Sequence, residues 1–157
     1  MKRAQGLIEN SQVGSYLLAG RAIVTIVSKK TGSRFTYKIS QKDGDDSFYF
    51  VSLLTGPDVY TFAGTMKVMR RASGDPEREA SFPHLLYSPG KRSAIGSEAP
   101  SQKAIGWLFY QIEREGIAPS TVEVYHAGSC GRCGRELTTP ESLKSGLGPV
   151  CEGRIAA

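Results

Sequence analysis

From Arg21 onward, apolar and polar side chains alternate with the period of two that a half-buried strand requires. AIVTIVS at 22–28 is β-branched and apolar, and RFTYKIS at 34–40 sets Phe35, Tyr37 and Ile39 against Thr36, Lys38 and Ser40. The intervening KKTGS carries a glycine turn, so the two segments read as a hairpin. A second turn, QKDGDD, leads into SFYFVSLL at 47–54, and TGPD leads on to VYTFAGTMKVM at 59–69. In a regular strand Tyr60, Phe62, Met66 and Val68 of that last segment share a face. Four sequential strands with short connections predict an antiparallel meander.

The pattern is lost over residues 70–100, which are rich in Gly, Pro, Ser and charge. This stretch reads as a long loop tacked to the core by Phe82, Leu85, Leu86 and Tyr87. A helical period returns at 101–116. Ser101 is placed to cap, Ala104, Ile105, Leu108 and Ile112 share a face, Trp107, Tyr110 and Arg114 lie on a flank, and Gly116 ends the helix. A short strand, TVEVY at 121–125, follows. The expected fold is α+β, an antiparallel sheet of four to five strands with one main helix. It occupies residues 1–125, and 126–157 form a separate zinc-knuckle or zinc-ribbon-like unit.

Composition adds little until the charges are located. The chain has 157 residues and a net charge of +5, within the range of an ordinary globular protein. Residues 1–42 hold eight Lys or Arg against one Glu, whereas 43–65 hold four Asp and no base. A basic amino-terminal third suits an anionic polymer, and equally suits simple solubility. No apolar run reaches the length of a membrane span, and the amino terminus, MKRAQGLIEN, lacks the apolar segment of a secretory signal. The expected location is the cytoplasm of a bacterial host, a reducing compartment where clustered cysteines are metal ligands more often than disulfides.

All three cysteines fall within HAGSCGRCGRELTTPESLKSGLGPVC at 126–151, with the spacing His-x3-Cys-x2-Cys-x17-Cys. A Cys-x-x-Cys pair turns both thiolates toward one point, and Gly131 and Gly134 relieve the backbone there. Cys130, Cys133 and Cys151 are therefore candidate ligands of one structural zinc ion, with His126 as the fourth and His84 as its competitor. Only four large aliphatics, Leu137, Leu143, Leu147 and Val150, lie in the segment, too few to order it by packing alone. A redox dithiol is the alternative for the Cys pair, but no thioredoxin-like βαβ pattern surrounds it. A capped short helix from Thr138 or Thr139 to Gly146 would carry Cys151 back to the knuckle.

The string CGRCGRELTTPESLKSGLGPVC resembles a tail shared by small bacteriophage and prophage proteins, a family defined as a domain of unknown function. Its pattern is met from His126 through Gly134, Arg135, Leu137, Thr138, Pro140, Ser142, Gly146, Gly148 and Pro149 to Cys151. VSKKTGSRFTYKI and FVSLLTGPDVYTFAGTM also resemble the amino-terminal part of such proteins. The resemblance implies a zinc-ribbon-like tail and a phage or mobile-element origin, and no established activity.

For function, Arg132 and Arg135 project from the knuckle, and Lys29, Lys30, Arg34 and Lys38 cluster on the first hairpin among Phe35 and Tyr37. Cations interleaved with aromatics favour nucleic acid. Alternation instead points Phe35, Tyr37 and Ile39 together into the core, which leaves phosphate contact and no stacking. The other reading is a protein-binding inhibitor or adaptor acting on a host protein, for example a defence protein, anchored by Trp107 and Tyr110. The acidic run Asp43, Asp45 and Asp46 reads first as a hairpin turn. No catalytic triad order, phosphate loop or HExxH is present, so no enzyme is expected, and no small-molecule substrate or membrane partner is inferred.

Overall fold

In the computed structural model, residues 6–69 and 83–127 are described. They form β1 (Leu7–Ile8), α1 (Val13–Leu17), β2 (Arg21–Ser28), β3 (Arg34–Lys42), β4 (Asp45–Gly56), β5 (Val59–Met69), β6 (His84–Pro89), α2 (Pro100–Glu115) and β7 (Val122–His126). All seven strands join one antiparallel sheet in the order β1-β7-β2-β3-β4-β5-β6. The hairpin and meander over β2–β5 are as expected, and β6 extends them. From β6 at one edge, α2 carries the chain back so that β7 enters between β1 and β2.

The expected α+β fold on four to five strands is corrected by this sheet, a predominantly β architecture of seven strands with one main helix and one short one. Two strands escaped the pattern for physical reasons. β1 has two residues, too few to show a period. β6 lies inside the presumed loop at 70–100, where Leu85 is buried while Leu86 faces out, so adjacent leucines mask the alternation. α1, which buries Val13, Tyr16 and Leu17, was missed for the same brevity. The knuckle unit expected at 126–157 lies outside the described residues beyond Ala127, as do Phe82 and the capped helix near Pro140.

One face of the sheet is covered. Ala22, Val24 and Ile26 of β2, Tyr37 and Ile39 of β3, Tyr49 and Val51 of β4, Met66 and Val68 of β5, and Val122 and Val124 of β7 are all buried. Against them pack Ile105, Leu108, Phe109 and Ile112 of α2 and the apolar side of α1. The helix begins one residue before the expected cap, with Pro100 at its first position and Ala99 as an N-cap that makes no side-chain bond. Proline there lacks only an N–H that the helix would not use. Ser101 is consequently inside the helix and buried. Gly116 closes the helix at φ 76°, donating its N–H to the Ile112 carbonyl.

Tyrosine hydroxyls cross-tie the layers. Tyr37 donates to the Ser101 carbonyl at 2.7 Å, Tyr49 to the Leu18 carbonyl at 2.8 Å, and Tyr16 to the Ile23 carbonyl at 2.9 Å. The tightest knot surrounds Gln102. Val51 pairs with Gly64 and Ser52 with Phe62, so Ala63 is an extra residue in β5 and its carbonyl leaves the ladder. Gln102 Nε2 donates to that carbonyl at 2.9 Å, the Gly90 N–H donates to it at 2.8 Å, and the Tyr87 hydroxyl bonds to Gln102 Oε1. Gly64 is required beside this knot, because a Cβ there would stand 2.3 Å from the Ser88 carbonyl oxygen.

Replacing Gln102 with Leu strands the Tyr87 hydroxyl in a half-buried site and should lower stability by about 1–3 kcal/mol in urea unfolding. Adding Tyr87→Phe should recover part of that loss, and purely additive losses would show the bond to be unimportant. The phenols also set a pH dependence. Burial raises Tyr37 above the usual tyrosine range, with Tyr87 adding to it, and burial alone pushes Tyr87 up to about 12. Between the ordinary value near ~10 and the folded value, the native state holds protons that the unfolded chain releases, so stability falls as pH rises through that window. Thermal melts at pH ~8 to ~12 should show a progressive fall in Tm above pH ~10, shallower in Tyr87→Phe.

Candidate functional site

The uncovered face of the sheet carries the side chains that the alternation directs away from the helix. On β3 these are Arg34, Thr36, Lys38 and Ser40, on β4 Phe48, Phe50, Ser52 and Leu54, and on β5 Tyr60, Phe62, Thr65 and Lys67. None of these positions is acidic, and Glu123 of β7 is the acid that alternation places on the same face beyond β2. Phe50 is 40% exposed and Phe62 39% exposed, unusual for phenylalanine in a strand. The rings sit next to ammonium groups. Lys38 Nζ lies 4.5 Å from the centre of the Tyr60 ring, and Lys42 Nζ lies 5.5 Å from that of Phe48. Phe48 and Phe50 meet edge to face at 5.3 Å. Burial raises the Tyr60 phenol, with the Asp58 charge adding to it, so the ring stays neutral beside Lys38.

This face contains Lys38 and Arg34 from the sequence-based set, but its aromatics are different ones. Tyr37 is buried, Phe35 is half-buried and packed on the core, and their rings lie on the helix side. The aromatics near Lys38 come from β4 and β5, brought there by the pairing of Lys38 with Ser52 and Ser52 with Phe62. One local signal pointed to them. Phe48 and Phe50 alternate with the buried Tyr49 and Val51, so only one of the two sets can face the helix.

Lys29 and Lys30 are exposed at the tip of the β2–β3 hairpin, at the end of the sheet. The tip is ordered by its own bonds, the Thr31 N–H donating to Ser28 Oγ at 3.2 Å and the Lys29 N–H to the Thr121 carbonyl at 2.9 Å. Trp107 and Tyr110 lie on the outer flank of α2, 41% and 51% exposed, and Arg114 Nη1 donates to the Tyr110 hydroxyl at 3.0 Å. The acidic run is a turn. Asp45 accepts from both the N–H and the hydroxyl of Ser47, which lowers its pKa.

Of the candidate zinc ligands, only the histidines are among the described residues. His126 ends β7 on the covered face, 6% exposed, its ring centre 6.0 Å from that of Tyr16. The chain packs tightly there, since a Cβ on Gly6 would lie 2.6 Å from the His126 carbonyl oxygen. His84 lies on the edge strand β6, across β2, β3, β4 and β5 from β7, with Nδ1 3.2 Å from Glu113 Oε2. Glu113 Oε1 also accepts the Leu85 N–H at 2.7 Å, so this carboxylate joins β6 to α2. Among the described residues no three metal-ligating side chains converge. Cys130, Cys133, Cys151, Arg132 and Arg135 lie outside the described residues.

The fold and its surfaces define a one-sided antiparallel sheet whose bare face pairs lysines with aromatic rings. Residues 121–156 match the model of a family of unknown function, DUF6011. The matched stretch starts beside β7 and takes in His126 and all three cysteines. No curated protein and no solved structure matches the chain. No described helix is long and apolar enough to cross a membrane.

Proposed function

We propose that this chain is a non-enzymatic accessory protein of a phage or mobile element, acting in the bacterial cytoplasm, that binds single-stranded nucleic acid on the bare face of its sheet. The carrying observation is the juxtaposition of Lys38, Lys42 and Lys67 with Phe48, Phe50, Tyr60 and Phe62 across β3, β4 and β5. Ammonium groups neutralise phosphates, and exposed rings stack on bases. In a duplex the bases already stack on one another and present only their edges, so rings on a sheet surface favour unpaired strands. Arg132 and Arg135 of the tail, with Lys29 and Arg34, extend the cationic surface, while Lys30 at the hairpin tip borders the covered side. One structural zinc ion, held by His126, Cys130, Cys133 and Cys151, orders that tail. The Cys-x-x-Cys spacing and the position of His126 at the end of β7, four residues before Cys130, support this ligand set.

Fluorescence anisotropy with a labelled single-stranded oligonucleotide tests the surface. Phe50→Ala and Phe62→Ala should each weaken binding by about 5- to 100-fold, the range expected for one lost stack. Lys38→Gln with Lys67→Gln should reduce the slope of log affinity against log salt by about 1.4, at ~0.7 per neutralised phosphate on a single strand. Equal affinities across these variants at low salt would remove the surface from consideration. The metal is tested separately. Purified protein should carry one zinc per chain, and Cys130→Ser or Cys151→Ser should lose it. A metal-free preparation with unchanged protease resistance of the tail would disprove the site.

A further inference from the structure

On the covered side of the sheet, between the first half of α2, the β2–β3 tip and the start of β7, lies an open groove of about 790 Å³. Its size falls within the ~300–1,000 Å³ of ordinary ligand sites. The floor and walls are apolar, built from Ile26, Phe35, Ala104, Trp107 and Val122. Ser28, Thr31 and Ser33 of the hairpin tip also line the groove, the Thr31 hydroxyl donating to Ser33 Oγ at 3.0 Å, and so do Lys30 and Lys103. Glu98 is the one acid among the described residues that line it. It lies 3.5 Å from Lys103 Nζ, but the side chains are 87% and 65% exposed, so water screens the pair and Lys103 is available to a stronger anion.

A ligand suited to this groove has a flat apolar body and an anionic end. The flat body faces the indole of Trp107, left 41% exposed by the fold. The anion lies between two ammonium groups, with the Ser28 and Ser33 hydroxyls as further donors. An acyl carboxylate could meet the lysines but has no flat ring to set against the indole, and a bare phosphate would leave the apolar floor wet. We propose that the groove binds a 5′-phosphorylated nucleotide, free or at the end of a strand, with its base against Trp107 and its phosphate between Lys30 and Lys103. The site is on the opposite side of the sheet from the lysine–aromatic surface and stands or falls independently of it.

Trp107 is the single tryptophan of the chain, so its emission reports on this groove alone. Titrating the full-length protein with adenosine 5′-monophosphate should quench that emission saturably, and ribose 5-phosphate should not. Lys30→Gln combined with Lys103→Gln should weaken the nucleotide by about tenfold or more, as expected for lost charge-assisted bonds. Phe50→Ala with Phe62→Ala should leave it unchanged. A 5′-phosphorylated oligonucleotide that quenches at lower concentration than the mononucleotide identifies strand ends as the source, and the reverse order identifies free nucleotide. Absence of saturable quenching by both would overturn the proposal. So would quenching indifferent to the lysine substitutions, or quenching by an oligoglutamate peptide and not by nucleotides.

Discussion

A helix lying on a sheet is held mainly by apolar contact, and apolar contact has no direction. Left to that force, α2 could slide or rotate over the covered face with little change in buried area. The hydrogen bonds of Gln102, Tyr87 and Tyr37 remove this freedom. Each spans two layers, and each would leave a buried or half-buried polar group unpaired if the helix moved. The bulge at Ala63 supplies the matching acceptor, its carbonyl taking both the Gly90 N–H and the Gln102 carboxamide. Tyr16 and Tyr49 tie the amino-terminal segment to β2 and β4 in the same way.

Fixing the helix on one face decides what the other face can be. Tyr49, Val51, Met66 and Val68 are used up in the core on the covered face, so their alternation partners Phe48, Phe50 and Lys67 must face water. Exposed phenylalanines oppose the hydrophobic effect, and lysine stems and ammonium groups beside them only partly offset this. In the proposed function a nucleic-acid strand completes that burial. The same placement of α2 leaves a groove beside Trp107, between the helix, the hairpin tip and the start of β7.

The return of the chain in β7 joins the sheet to the tail. β7 fills the gap between β1 and β2 and ends on His126, a buried histidine against Tyr16. The stretch matching the family of unknown function begins one residue before β7, so the strand and the cysteine segment belong to one matched unit. With His126 as a zinc ligand, as proposed, the metal would couple the order of the tail to the sheet through a residue that both share.

The sequence alone was enough for the elements that repeat long enough to show a period. β2 to β5, the apolar face of α2 with its glycine stop, and β7 were all legible, as was the Cys-x-x-Cys spacing that singles out a metal reading. The inward direction of Tyr37 could also be read from alternation, and so could the weakness of a stacking role for Phe35. Short pieces could not be read. β1 and α1 have too few residues to show a period, and in β6 the outward Leu86 hides it. What only the tertiary structure decided is which rings stand beside which charges. Lys38 meets Tyr60, twenty-two positions away, through a register set by two hairpin turns and the register shifts along β3–β4 and β4–β5. Contacts of that kind depend on pairing between strands, and a one-dimensional pattern records only the period within each strand.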